Sequence, residues 1–313
     1  MKKNIILLVF ITFFIHLGAI NENAGTSGFS FFKISYSARA AALSHAYTAL
    51  SDQLDAVFFN PAGLTQLKQK QVSATYMSYF DGINCGSAVY AQPLKNDYYM
   101  AAFTQFLTAS EDRTLVDENG NYAGTDGSFG VSEFLVGASL GKHFSDLVNV
   151  GVNLKILQES IDSNSATAVA VDFSILHQTT NQNLKVGLTI KNIGKQLSYY
   201  SDEKYEENLP QVLQAGFSYH PDPKVYINFD LYKPLEYDFS ALVGVEYHLH
   251  HMFCMRAGYK SNSSDWKMEG DYDSFAGISM GFGLNWQNYN LDYAINSYGD
   301  LGFVNQITLR YNF

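Results

Sequence analysis

The sequence predicts an all-β fold: a transmembrane antiparallel β-barrel of about fourteen strands, with a short N-terminal helical hatch or plug inside its lumen. Three observations predict it. From residue 71 onward, runs of about ten residues alternate apolar and polar side chains, the period of a strand with one oily and one wet face. The connections between these runs sort by length. Those at 93–97, 143–148, 177–183, 221–223, 250–252 and a tight turn at 285–286 are short, whereas the long ones, 109–130, 194–210 and 261–273, all fall in the other alternate set. A soluble two-sheet sandwich, the competing reading of the alternation, has no reason to sort loops by parity; a membrane barrel does. Finally, the chain opens on an export signal.

That signal is residues 1–19. Lys2 and Lys3 form a positive n-region, Ile5 to Ile15 an apolar stretch, and Leu17-Gly18-Ala19 a small-residue cleavage site. A membrane anchor needs about 20 apolar residues, more than this run supplies. No Cys follows the site to take a lipid anchor, and no later stretch is long and apolar enough for a membrane helix. If the exported chain spans a bilayer, it must therefore do so as a closed barrel, because only closure pairs every backbone polar group of a sheet.

Residues 20–70 break the alternation. SARAAALSHAYTAL is Ala-rich and reads as a short helix whose small side chains permit close packing. Asn60-Pro61-Ala62-Gly63 reads as a turn. A fourteen-stranded barrel is wider than the eight-stranded kind that side chains fill, so something should occupy its lumen. The N-terminal segment is the natural occupant.

The barrel is residues 71–313. Expected strands run at 71–80, 83–92, 98–108, 131–142, 149–159, 166–176, 184–193, 211–220, 224–232, 240–249, 253–260, 274–284, 287–296 and 303–313. The clearest put Val150, Val152, Leu154 and Ile156, or Val225, Ile227, Phe229 and Leu231, on one face, with Asn153, Lys155, Asn228 and Asp230 on the other. The last run ends in Leu309, Tyr311 and Phe313 on one parity, broken at Asn305. Last strands of bacterial outer-membrane barrels commonly end this way, on an aromatic edge that the barrel-insertion machinery recognises.

Composition agrees. The 313 residues carry 47% hydrophobic and only 16% charged side chains, which argues against disorder. The 22 Tyr and 23 Phe suit strands and membrane interfaces. A formal net charge of −10 without a basic stripe argues against a nucleic-acid partner. Cys85 and Cys254 fall on strands two and eleven, too far apart around the barrel for a disulfide.

The segment AGTSGFSFFKISYSARAAALSHAYTALSDQLDAVFFNPAGL resembles the opening of the PorV/PorQ-type outer-membrane proteins, a branch of the FadL-like barrels. The likeness continues through VGVNLKILQE, IKNIGKQL, LPQVLQAGFSY, VGVEYHL, MRAGYK and LDYAINSYGDLGFVNQITL, essentially the whole mature chain. It departs where the family has G-M-G; here the chain reads Ala42-Leu43-Ser44-His45, and Ala does not reach positive φ as Gly does. The resemblance implies a fourteen-stranded outer-membrane barrel with an N-terminal hatch and both termini periplasmic. PorV-like members work with the type IX secretion machinery, and FadL-like members elsewhere take up hydrophobic molecules.

Candidate site residues follow. Arg39, in the Ala-rich helix, needs a carboxylate if that helix is inside the barrel, and Asp52 and Asp55 are nearby. Asn60, in the family's N-P-A motif with Pro61, Ala62 and Gly63, is expected to hydrogen-bond the wall in a structural or gating role. His248, His250 and His251 cluster, but on a predicted short turn with no supporting Cys or second carboxylate. The loop 109–130 carries Glu111, Asp112, Asp117, Glu118 and Asp126 against Arg113, a solvated acidic loop that lacks the glycine and closing Glu of a calcium loop. No metal or cofactor is expected from either. No Ser-His-Asp pattern, phosphate loop or paired-carboxylate motif is present, so no enzyme is expected.

The expected function is a non-enzymatic accessory of type IX-like protein secretion, partnered by outer-membrane lipid, the insertion machinery and secreted proteins or secretion components. The alternative is a FadL-like channel for a hydrophobic small molecule.

Overall fold

A computed structural model describes residues 25–261, 270 and 272–313. The expected signal peptide, 1–19, lies outside the described residues. The strands are β1 (Gln71–Ser78), β2 (Asn84–Pro93), β3 (Tyr98–Val116), β4 (Tyr122–His143), β5 (Val148–Ile161), β6 (Asn164–Gln178) and β7 (Leu184–Ser198). They continue as β8 (Val212–Asp222), β9 (Val225–Pro234), β10 (Ser240–His250), β11 (Phe253–Lys260), β12 (Ile278–Trp286), β13 (Tyr289–Ser297) and β14 (Phe303–Asn312). Each pairs antiparallel with its sequence neighbours, and β14 pairs with β1, closing a fourteen-stranded barrel. In the closing pair Val72 faces Tyr311 and Ala74 faces Leu309.

Alternation decides which face looks where. On β5, Leu154 and Ile156 point outward and are exposed, while Asn153, Lys155 and Leu157 point inward and are buried. Val186, Leu188 and Ile190 on β7 and Ile227 and Leu231 on β9 are likewise exposed, against buried Thr189, Asn228 and Asp230 inside. An apolar outside and a largely polar, buried inside invert the pattern of a water-soluble sheet protein; hydrocarbon around the wall satisfies it. Aromatic rings gather at the short-turn end: Trp286 stacks near Tyr289, Tyr289 near Tyr311, and Tyr311 near Phe313.

Three expectations about connections are corrected. The acidic loop 109–130 is a β-hairpin: β3 and β4 run on past the wall and turn at 117–121, where the Asp117 carboxylate accepts the backbone N–H groups of Asn119 and Asn121. The tight turn at 285–286 is two residues later, at Gln287-Asn288, because Asn285 and Trp286 still pair with Asn290 and Tyr289. The strand expected from 274 begins at Ile278, since Asp273–Phe275 form a 3-10 turn.

The N-terminal segment fills the lumen. It contains one short helix, α1 (Ala38–Ala42), and 3-10 turns at Ser30–Lys33, Leu54–Phe58 and Pro61–Gln66. Nearly every residue from 36 to 65 is buried. Phe31, Phe58 and Leu64 join lumenal Phe103, Leu135 and Leu157 in one apolar cluster. The helix is shorter than its Ala-rich sequence suggests. It stops in a Schellman turn, with Ser44 N–H donating to Ala41 O and His45 N–H to Ala40 O, and with Ser44 and His45 at φ of 51° and 64°. The residue whose methyl group raised doubt, Ala42, stays helical; the left-handed positions fall on Ser44 and His45, costing about 1–2 kcal/mol each. The Ser44 hydroxyl lies 2.9 Å from that of Ser279, which ties the strained turn to the wall.

The described ends lie at opposite mouths of the barrel. Ser27 bridges to Asn208 in the long connection 199–211, whereas Phe313 N–H donates to Lys70 O at the short-turn end. Between these two points the N-terminal segment threads the lumen.

Candidate functional site

The plug and the wall strands that hold it form the candidate site. At the short-turn half of the lumen, charged side chains run from plug to wall in one chain. Arg39 Nη1 lies 2.6 Å from Asp52 Oδ1, and Arg39 Nε and Nη2 lie 2.8 and 2.9 Å from the two oxygens of Glu246 on β10. Glu246 also meets Arg256 Nε at 2.5 Å, and Arg256 Nη1 reaches Asp292 Oδ1 at 2.6 Å. Arg310 on β14 closes the series, with Asp292 at 4.0 Å and a hydrogen bond to Gln53 of the plug. Three guanidinium groups thus meet three carboxylates. Burial opposes the charge on Arg39, but Asp52 and Glu246 outweigh it and raise its pKa well above the usual guanidinium value.

The expected partner Asp52 therefore meets Arg39, and Asp55 does not. Asp55 instead accepts the Ser37 hydroxyl at 2.6 Å. Burial, against Arg310 and the Ser37 bond, pushes its pKa up. Glu246, on a strand 207 residues away, takes the place sequence proximity had given to Asp55.

Asn60 caps the turn Pro61–Gln66. Its Oδ1 accepts Ala62 N–H, and its Nδ2 donates to Thr48 O at 2.8 Å and to Ile175 O of β6 at 3.1 Å. Pro61 sits at the first position of that turn, where its missing N–H costs nothing. Ala62 N–H also meets the Ser174 hydroxyl at 2.9 Å, and a side chain on Gly63 would sit 2.2 Å from Ser51 O. Asn60→Ala removes two donated bonds and leaves two buried carbonyls without that partner, a cost of about 1–3 kcal/mol. The expected result is a lower midpoint for heat-modifiable electrophoretic mobility together with raised permeability; unchanged values of both would count against a hatch role.

Elsewhere Asp230 Oδ2 accepts the N–H groups of Tyr47 and Thr48 at 3.0 and 2.9 Å, and Asn153 Nδ2 donates to Val57 O. The wall also offers bare backbone. A Cβ on Gly151 would lie 2.2 Å from Ala62 N, one on Gly187 2.5 Å from Thr48 O, and one on Gly258 2.5 Å from Leu43 C. Sequence reasoning passed over these glycines. Their signal was available: a Gly at an inward position of a strand marks a close backbone approach.

His248 Nε2 meets Glu246 at 2.8 Å, and the His250 and His251 rings touch each other. Among the described residues no three His, Cys, Asp or Glu side chains come together as a metal site. Cys85 and Cys254 are buried and free. Leu309 and Phe313 are exposed on the outer wall, and Tyr311 packs between Tyr289 and Phe313. If this edge is the insertion signal, deleting Phe313 lowers the fraction of chain reaching the heat-modifiable folded band; an undiminished fraction would refute the role.

Between the plug and the long-loop end lies a cavity of about 440 Å³. Its walls mix Phe31, Phe59, Met77 and Leu107 with Lys191, Lys260 and Glu133.

Comparison with solved structures settles the fold. The toluene transporter TodX of P. putida superposes with a TM-score of 0.61 at 12% identity, covering 87% of this chain and 98% of that one. A Pseudomonas aeruginosa FadL homologue gives 0.59 at 10% identity, covering 95% and 99%. The toluene transporter TbuX of Ralstonia pickettii gives 0.57 at 12% identity, covering 87% and 98%. This chain has the FadL-like barrel fold. At these identities the likeness speaks for the fold alone. By sequence, the chain is 27% identical over 223 residues to a UPF0164 protein of Treponema pallidum, and spans about half that relative's length: 65% of this chain against 51% of the relative. No family model matches the chain.

Proposed function

We propose that this protein is an outer-membrane channel for hydrophobic small molecules, without enzymatic activity. The observation that carries the reading is the cavity of about 440 Å³ inside a plugged FadL-like barrel, bounded by plug and wall together. It falls within the size range of small-molecule sites, and shifting the plug would extend it. The structural neighbours named as toluene transporters support a hydrophobic cargo. The short turns are assigned to the periplasmic side and the long hairpin to the outside. The test is uptake of a hydrophobic fluorophore into proteoliposomes. Entry faster than into protein-free vesicles, and slower again when the plug is cross-linked to the wall between cysteines placed at residues 62 and 174, is expected; no difference from empty vesicles would remove the reading.

A second reading, an accessory of protein secretion, draws on the hairpin formed by β3 and β4. It is an ordered projection beyond the wall, and Val116 and Tyr122 near its tip are 66% and 70% exposed. Deleting residues 112–128 should abolish co-purification of an exported protein while sparing fluorophore entry if this reading holds.

A further inference from the structure

Beyond the rim, β3 leaves one edge open. β2 accompanies it only as far as Thr108, which faces Asn84, and among the described residues no strand pairs with 109–116 on that side. The ladder with β4 fixes which backbone groups line this edge. At the tip Asp117 N–H donates to Asn121 O, so the next pair, Val116 with Tyr122, turns its backbone groups away from the partner strand. At the root Asp162 N–H donates to Gly130 O, so Gly130 and its pair Ser110 also turn theirs away from each other. By the two-residue period, Ser110, Asp112, Thr114 and Val116 hold their N–H and C=O groups out along the open edge. The other edge of the hairpin is blunted. Asp112 pairs with Ser128 and Thr114 with Thr125, so Asp126 and Gly127 together oppose Arg113; Ala123 is extra between the pairs Leu115 with Gly124 and Val116 with Tyr122. Both bulges therefore fall on β4 and leave β3 regular. Exposed edges are ordinarily kept from pairing by bulges, prolines or lysines, and 109–116 contains none of these.

Charge narrows what fits there. The hairpin carries exposed Glu111, Asp112, Asp117, Glu118 and Asp126 against Arg113 alone, and the Arg113 guanidinium is taken by Asp162 at 2.6 Å. Glu111 and Asp112 stand near the root of the edge, on opposite faces of the strand, while Leu115 and Val116 near the tip are 47% and 66% exposed. A second copy of this chain is a poor occupant. Copies in one bilayer stand the same way up, so two β3 edges meet parallel, with Glu111 and Asp112 beside their own counterparts, and like charges side by side are destabilising. The β4 edge of a copy is bulged and carries Asp126. A strand arriving from solution has neither restriction.

We propose that the open edge of β3 receives an extended segment of another polypeptide as an added antiparallel strand, with lysine or arginine opposite Asp112 and Glu111 and apolar side chains opposite Val116 and Leu115. Main-chain hydrogen bonds to 110, 112, 114 and 116 supply the attachment, and the charge pattern sets direction and register. This rests on the reading of the hairpin as a docking element for exported protein and names the chemistry of its partner.

The test is fluorescence anisotropy of a labelled peptide, Val-Val-Thr-Thr-Lys-Lys, titrated with the protein in phosphatidylcholine nanodiscs, with empty nanodiscs subtracted. It is expected to bind ten-fold or more tightly than the same peptide ending in Glu-Glu. N-methylation at its first, third and fifth residues, which face the edge groups of 116, 114 and 112, should lower binding at least ten-fold, whereas N-methylation at the second, fourth and sixth should spare it. In the protein, Thr114→Pro removes one edge N–H without touching the ladder to β4 and should cause a similar loss, while Thr114→Val should bind as the parent does. No binding, equal binding of the lysine and glutamate peptides, or equal effects of the two methylation patterns would overturn the edge site. A dimer of the protein alone in mass photometry that disappears in Thr114→Pro would overturn the choice of occupant. Failure of the peptide alongside loss of exported-protein co-purification on deleting 112–128 would remove the edge site and leave the docking reading standing; peptide binding as described with undiminished co-purification would remove the docking reading and keep the edge site.

Discussion

Arg39→Ala should release the plug from the short-turn half of the wall. The guanidinium is almost fully buried and joins the plug carboxylate Asp52 to the wall carboxylate Glu246. Removing one partner of such a pair leaves buried charge uncompensated, which costs about 3–5 kcal/mol. Glu246 keeps Arg256 and His248, whereas Asp52 loses its only ion pair among the described residues. The expected results are a lower unfolding midpoint, protease cleavage within 36–65 in an otherwise intact barrel, and larger ion currents in planar bilayers. Arg39→Lys should recover little, because one ammonium cannot form the two-pronged contact to Glu246 while also reaching Asp52. The double variant Arg39→Ala with Glu246→Ala should be less damaged than the sum of the singles, since it removes a carboxylate left short of charge. A barrel that keeps its currents and its protease resistance in Arg39→Ala would mean that the ionic series is incidental to plug seating.

Gly151→Val is expected to be as disruptive, by a different route. The new Cβ would lie 2.2 Å from Ala62 N and 2.4 Å from Pro61 C, backbone atoms that cannot swing aside as a flexible side chain could. Overpacking of this kind costs about 1–3 kcal/mol or more. The strain falls on the turn Pro61–Gln66, while the hydrogen-bonded ladders of β5 with β4 and β6 are untouched. The variant should therefore remain a heat-modifiable barrel while its plug becomes protease-sensitive between residues 58 and 66. Gly130→Val is the control, because a Cβ there meets nothing within 4 Å. If both variants behave as the parent, close backbone seating is not what holds the plug.

The wall was legible in the chain because hydrocarbon outside and a polar lumen inside impose opposite demands on successive residues. Leu154 and Ile156 against Asn153 and Lys155 make that visible without any structure. The same logic explains where reading failed. In the hairpin beyond the rim, Glu111, Asp112, Asp117 and Glu118 are all exposed, since both faces meet water there and nothing enforces alternation. Local sequence did point to Arg39, Asp52 and the Asn60 turn, because a cation in an Ala-rich segment and an N-P-A turn stand out against their surroundings. It could not supply Glu246 or the inward glycines, whose meaning depends on strand curvature bringing distant positions against the plug. The cavity and its lysines were invisible for the same reason: Lys191 looks like any inward polar residue until its neighbours prove to be Phe59 and Tyr232.

The N-terminal segment is fastened twice. It is bridged to Asn208 at one mouth and runs covalently into β1 at the other. Such a segment behaves as a rope moored at both ends of a pipe, not as a cork. It can slacken, slide against one side or bow toward the other, but expulsion would require breaking the upper mooring. Under the proposed channel function, a traveller shares the bore with the rope, and the widest gap is set by how far its middle can sag.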